Sequence, residues 1–354
     1  MDYISTHKNI SVALIEFYPY HSELIYSHLL FLKRNHCKTI LFCDVQNARK
    51  LENLEEFATL KTYNFKKFSS LVKLWLYLLK SKVNFVVFNT AQGNRMLKFS
   101  LFCLPRRIKM VGILHNTKKI ETSLGQKIIS RKVKNYFVLT KYMYEFFPKK
   151  KGIKKGFMSC CYSPTFDKID LQKPNNEIWI TIPGSVEKKR RDYDFLLRVA
   201  KCPDFPDFIR FVLLGNSSRF EGPKFIEEIR KNNLGDKFIW FEEFVPEKVF
   251  FNYMLNSDYL LPLIHPTTPS VKDYLKYKAS GTFIQSVSYS IPMICHEVFN
   301  EPYFNFPSLF YLSEKDFLDI VNNIKSYDFK GRIQPPDFEM DKKLYCDFLF
   351  STDH

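Results

Sequence analysis

Three small residues in a row, Ser280, Gly281 and Thr282, precede a segment (residues 283–289) with the composition of a short helix, and residues 291–295 (Ile-Pro-Met-Ile-Cys) then read as a buried strand. A small-residue turn that opens a helix presents unpaired backbone N–H groups and the positive end of the helix dipole. That chemistry suits a phosphate. The same Ser-Gly-Thr also reads as an ordinary N-cap. A second basic constellation follows Gly184 and Ser185, where Lys188, Lys189, Arg190 and Arg191 stand together. Paired arginines offer forked, bidentate phosphate contacts, and Arg190 is the preferred one of the two. The alternative is a solvated basic turn. Asp192 and Asp194, just beyond, read as carboxylates at a helix start rather than as a metal motif.

A third set could move protons. His115 ends an apolar run and suits a general base or a contact to a polar substrate, with a structural histidine as the other reading. Glu16 and His21 flank the end of the first apolar run. Glu16 is the better base if burial raises its pKa.

These residues need elements to hold them. Residues 10–17 form a strand, 23–33 a helix and 39–43 a strand, with near-continuous apolar strands as in a parallel sheet covered on both faces. The alternation continues with a helix at 68–80, strands at 84–88, 109–114 and 136–139, and a helix at 95–104 closed by Pro105. It repeats to about residue 150 and defines a doubly wound domain, 1–150. Lysine-rich residues 149–156 break the pattern, and 151–175 read as a connection. A second set starts with strand 178–182 and runs through strands at 208–214, 238–241 and 259–263 and helices at 194–200, 224–232 and 246–255. It gives a second domain, 176–330, and leaves a tail, 331–354, expected to pack back on the first. The fold class is α/β, two Rossmann-like domains facing across a cleft.

Composition bounds the rest. The chain has 354 residues, 45% of them hydrophobic, enough for two domains. It has no run of 18 apolar residues and no leader-like start, so a cytoplasmic protein is expected. The eight cysteines form no CxxC pair, and the adjacent Cys160 and Cys161 read as plain thiols. A net charge of +16 asks for an acidic partner: nucleic acid, an anionic membrane or a phosphorylated substrate. No nucleic-acid module signature is present, so nucleic acid is not the expected partner. The mixed apolar and basic stretches 95–109 and 149–155 suit in-plane membrane contact, or a core helix with a solvated end.

The second half resembles the C-terminal domain of GT-B glycosyltransferases, in the broad group that includes family 4. Four features carry the resemblance in order: Gly184 with the basic cluster through Tyr193; a strand ending in Gly215; Phe238–Phe241 leading through Pro246 to the strand that ends at Pro262; and Lys278-Ala-Ser-Gly-Thr through Pro292. It covers roughly residues 176–325. The resemblance implies transfer of a sugar from a nucleotide-diphosphate sugar to a glycan or lipid-linked acceptor in bacterial surface-polysaccharide assembly. It implies no cofactor and no metal, and a place at the inner face of the plasma membrane. It assigns Gly184, Ser185, Arg190, Arg191, Lys278, Ser280, Gly281 and Thr282 to the donor, with Gly215 and Asn216 under the base or ribose and Gln285 on a hydroxyl. A tight turn needs glycine at 215 in any case. One departure stands out: the paired glutamates of many family-4 enzymes fall near Tyr277 and Gln285, neither acidic. The rivals are an epimerase or phosphorylase on the same fold, a catalytically inactive scaffold, and a basic nucleic-acid-binding protein.

Overall fold

The computed structural model describes residues 10–51, 54–329 and 333–351. Residues 1–9, read above for a leader, lie outside them. The chain divides into two compact units, residues 1–164 with 276–279 and 337–354, and residues 165–275 with 280–336.

The first unit is built on a seven-stranded, all-parallel sheet. Its strands are β1 (Ser11–Glu16), β2 (Lys38–Asp44), β3 (Thr59–Tyr63), β4 (Phe85–Phe88), β5 (Lys109–Ile113), β6 (Asn135–Val138) and β7 (Lys154–Phe157), in the order β3-β2-β1-β4-β5-β6-β7. Central strands are apolar throughout because helices cover both faces: Val12, Ala13, Leu14 and Ile15 are all fully buried. Burying the valine, leucine and isoleucine side chains contributes about 1.5–3 kcal/mol each relative to exposure. β1 sits between β2 and β4, so the chain reverses its direction of travel there and opens a crevice at the carboxyl ends of β1 and β4.

Three elements differ from the sequence reading. Residues 154–157, assigned to a connection, are an edge strand. The helix expected over 95–104 is Asn94–Phe99, where the Ser100 hydroxyl turns back to the Leu97 carbonyl at 2.7 Å. The half-buried edge strand β3 was not anticipated.

The C-terminal helix Phe338–Phe350 belongs to the first unit. Tyr345 stacks on Phe137 at 4.9 Å and its hydroxyl meets His28 Nδ1 at 2.8 Å, both buried. Phe348 fills the space that a side chain at Gly156 would need. The short segment Lys276–Ala279 belongs here too: Tyr277 O accepts from the Thr117 amide at 2.9 Å, and Lys278 O from the Tyr142 hydroxyl at 2.9 Å.

The second unit holds a six-stranded parallel sheet: β8 (Ile178–Pro183), β9 (Ile209–Asn216), β10 (Phe238–Phe241), β11 (Tyr259–Leu260), β12 (Met293–His296) and β13 (Ser308–Tyr311), in the order β10-β9-β8-β11-β12-β13. Again the first strand, β8, lies at the reversal, between β9 and β11. A core of Phe195, Phe211, Phe225, Phe238 and Phe317 packs around it. Among the described residues no helix is long and apolar enough to cross a membrane.

Candidate functional site

In the first unit the carboxyl ends of β1, β4 and β5 bring Glu16, Asn89, Thr90 and His115 together with His21. Glu16 is fully buried and accepts three hydrogen bonds, from the Tyr18 amide at 2.8 Å, the Asn89 amide group at 2.6 Å and the Thr90 hydroxyl at 2.7 Å. Burial pushes its carboxyl up to about 7, against the opposing pull of those three donors. His115 Nε2 lies 2.9 Å from the Asn89 carbonyl, which can only accept, so Nε2 carries the proton and Nδ1 is the basic nitrogen. Burial, and then the neighbouring His21, hold this imidazole well below its ordinary value. His21 stacks on it, ring centroids 3.7 Å apart. Its backbone sits in the left-handed region (φ 65°), uncommon for a residue with a Cβ, and its carbonyl accepts from Asn89 at 2.8 Å. The result is a neutral imidazole beside a carboxyl that titrates near neutrality.

The second unit gathers its residues at the ends of β8, β9 and β11 and the start of the helix Gly281–Tyr289. Gly184 takes φ 101°, and a side chain at Gly215 would stand 2.4 Å from the Gly184 carbonyl carbon. Both glycines are therefore obligatory, and two strand ends come together as bare backbone. Arg191 spans this junction. Its guanidinium donates to the carbonyls of Pro183 (2.5 Å), Pro262 (3.3 Å) and Ser185 (3.4 Å) and to the Thr282 hydroxyl (3.3 Å). At the helix start Ser280 is the N-cap residue but its side chain makes no cap hydrogen bond, and among the described residues nothing beyond its chain neighbours lies within 4 Å of where a Gly281 side chain would go. The Gly281 and Thr282 amides, which no helix can satisfy internally, are thus left without a side-chain cap next to the arginine, while the Phe283 amide bonds the Ser280 carbonyl at 3.1 Å.

Not every expected residue joins this junction. Arg190, the favoured arginine, is exposed and pairs with Glu187 at 3.0 Å, while Arg191 is the one turned inward. Asn216 spends its carbonyl on a local turn, accepting from Ser218 N (2.8 Å) and Oγ (2.7 Å). Lys278 belongs to the first unit, and its charge is one of those felt by His115. Gln285 lies in the helix with a buried Oε1 that has no partner among the described residues.

Two groups were missed. Asn89 ties Glu16, His21 and His115 together, and its position directly after a strand was the available signal. In the second unit Asp192 caps the helix Tyr193–Lys201 and also bonds His265 Nδ1 at 3.0 Å, while His265 Nε2 meets the buried Tyr311 hydroxyl at 2.7 Å. The His265 bond holds the Asp192 carboxyl below its usual range. This line of three fixes the residue next to Arg191.

The architecture is similar to that of several solved structures. Anabaena Alr3699/HepE, in complex with UDP and glucose, superposes with a TM-score of 0.65 at 12% identity, covering 97% of this chain and 100% of that one. UDP-GlcNAc 2-epimerase from Neisseria meningitidis, bound to UDP-GlcNAc, gives 0.60 at 13% identity over 97% and 100%. A glycosyltransferase from Rickettsia africae gives 0.59 at 13% over 97% and 95%. No family model and no curated protein sequence matches the chain. At these identities the likeness defines the fold, and the fold is GT-B: two Rossmann-like units of parallel sheet.

Proposed function

We propose that this chain is a glycosyltransferase that moves a sugar from a nucleoside-diphosphate sugar to a hydroxyl of a glycan or lipid-linked acceptor. The observation that carries the reading is the junction of the second unit, where uncapped amides at Gly281 and Thr282 stand beside Arg191 and two glycines clear the backbone. A departing nucleoside diphosphate needs its negative charge met as the glycosidic bond breaks, and fixed N–H groups with a guanidinium meet it. Arg191 positions the helix start through Thr282, and Asp192, held by His265, keeps the turn in place. In the first unit His115 stays neutral at physiological pH, so its Nδ1 can take the proton from an acceptor hydroxyl. The Asn89 backbone carbonyl sets its tautomer.

The test is a thermal-shift series with UDP, GDP, CDP, ADP and dTDP on the wild type and on Gly281→Asp. One diphosphate should stabilise the wild type, and the variant should lose that response. A response to none of the five would favour the scaffold or nucleic-acid reading. Release of the diphosphate with the sugar joined to the acceptor hydroxyl, and with every stereocentre other than the anomeric one unchanged, would separate transfer from epimerisation.

A further inference from the structure

The positive charge of this chain is concentrated. Residues 57–144 hold fourteen lysines and four arginines against one glutamate, a net of +17, where the whole chain nets +16. All of these residues lie in the first unit. The same segment leaves large apolar side chains uncovered: Leu124 is 77% exposed, Leu101 67%, Phe68 57%, Leu76 42% and Ile128 37%.

They sit on adjoining elements. Phe68 and Trp75, on the helix Phe68–Lys80, pack their rings on Phe102 at 5.8 and 5.3 Å, and Leu101 is its chain neighbour. Lys132 reaches back from beyond the helix Leu124–Ile129 to donate to the Phe102 carbonyl at 2.8 Å. Leu97, on the helix Asn94–Phe99, lies 3.4 Å from where a side chain at Gly125 would begin. The helix Phe68–Lys80 buries one apolar side and carries large apolar residues on its exposed side as well. Leu71, Leu74 and Leu78 are buried, while Phe68 and Leu76 look outward with only Lys73 and Lys80 charged. The outward side thus mixes apolar and basic side chains, the pattern of a helix that lies in a membrane interface.

We infer that this face of the first unit docks in the plane of an anionic lipid bilayer. The five apolar side chains enter the headgroup boundary, and exposed Lys66, Lys73, Lys98, Lys127 and Arg131 meet the lipid phosphates. Basic charge alone would serve a nucleic acid equally well. The aliphatic side chains decide between them: Leu101, Leu124 and Ile128 offer a polyanion nothing, and the aromatic rings at hand are already packed on one another.

The inference is independent of the donor reading, because vesicle binding is measured without nucleotide. The full chain is sedimented with vesicles of phosphatidylcholine alone and of an equal mixture with phosphatidylglycerol. The same is done with a Leu101→Glu/Leu124→Glu variant whose thermal midpoint is checked against the wild type. Both sites are more than half exposed, so the fold should hold. Binding to the anionic vesicles only, weakened at least about tenfold in the variant, is the expected result. Absence of binding to anionic vesicles overturns the inference. So does binding that the double variant leaves unchanged, or tighter binding to a single-stranded oligonucleotide than to the vesicles.

Discussion

Replacing Gly281 by aspartate separates two effects that most substitutions at a binding site confuse. The backbone at Gly281 is not in the left-handed region and nothing lies within 4 Å of the new Cβ, so the side chain enters without a clash. A carboxylate in the first turn interacts favourably with the helix dipole, worth about 0.3–1 kcal/mol. Losing a glycine from the unfolded ensemble adds about 0.4–1 kcal/mol. The ligand-free variant should therefore be about 0.7–2 kcal/mol more stable than the wild type. The same carboxylate occupies the place proposed for a phosphate. Two like charges about 4 Å apart at an effective dielectric constant of about 20 repel by about 4 kcal/mol, close to a thousandfold in affinity. A nucleotide at about 100 times its wild-type dissociation constant stabilises the protein by about 2.7 kcal/mol, and against a thousandfold weaker site that gain nearly vanishes. Differential scanning fluorimetry on wild type, Gly281→Asp and Gly281→Ala, with and without the diphosphate, reads both effects. Alanine adds no charge and should keep the response. An aspartate variant that still responds would mean the diphosphate does not sit at this helix start, and the donor assignment would fail.

Three further outcomes follow from the geometry. Arg191→Ala should cost about 2–3 kcal/mol in denaturant unfolding, because its removal strips three backbone carbonyls of a charged donor, while Arg190→Ala should stay within about 0.5 kcal/mol and keep the nucleotide response. Gly215→Ala pushes a methyl against the Gly184 backbone, where nothing flexible can yield, and should destabilise by about 2–4 kcal/mol or abolish soluble expression. Glu16, with its folded pKa raised to about 7, binds more protons folded than unfolded between about pH 4.5 and 7. Stability from this group therefore falls as pH rises through that window, by at most about 3 kcal/mol, and levels off above it. Urea unfolding across pH 5–8 should show that slope in the wild type and not in Glu16→Gln.

How much of this was legible beforehand depends on where a strand lies in its sheet. Interior strands such as β1, β4 and β9 announce themselves as unbroken apolar runs because both faces are covered. The edges do not. β3 (Thr-Leu-Lys-Thr-Tyr) has no fully buried residue, and β7 (Lys-Lys-Gly-Phe) carries the charge that keeps an edge from pairing with another chain. That charge made it look like a linker. At the site, strand-end residues (Glu16, His115, Gly184, Gly215) could be found because a parallel sheet delivers its carboxyl ends to one rim. The choice between Arg190 and Arg191 could not. The two side chains part at the turn after Glu187, which points the first arginine to solvent and the second at the Pro183 carbonyl. The Asp192–His265–Tyr311 line joins residues 46 or more positions apart, and no local pattern marks such a pairing.

The helix Phe338–Phe350 also has a bearing on how the protein is made. Phe350 follows Pro164 by 186 positions, yet both belong to the first unit. At about 5–20 residues per second, a ribosome needs roughly 10–40 s to supply that helix after the body of the first unit has emerged. Throughout that interval the surfaces that Tyr345 and Phe348 will cover, around Phe137, His28 and Gly156, stand open. The unit that begins first thus finishes last, and a nascent-chain chaperone would find its binding surface on the N-terminal unit, long after that unit had left the exit tunnel.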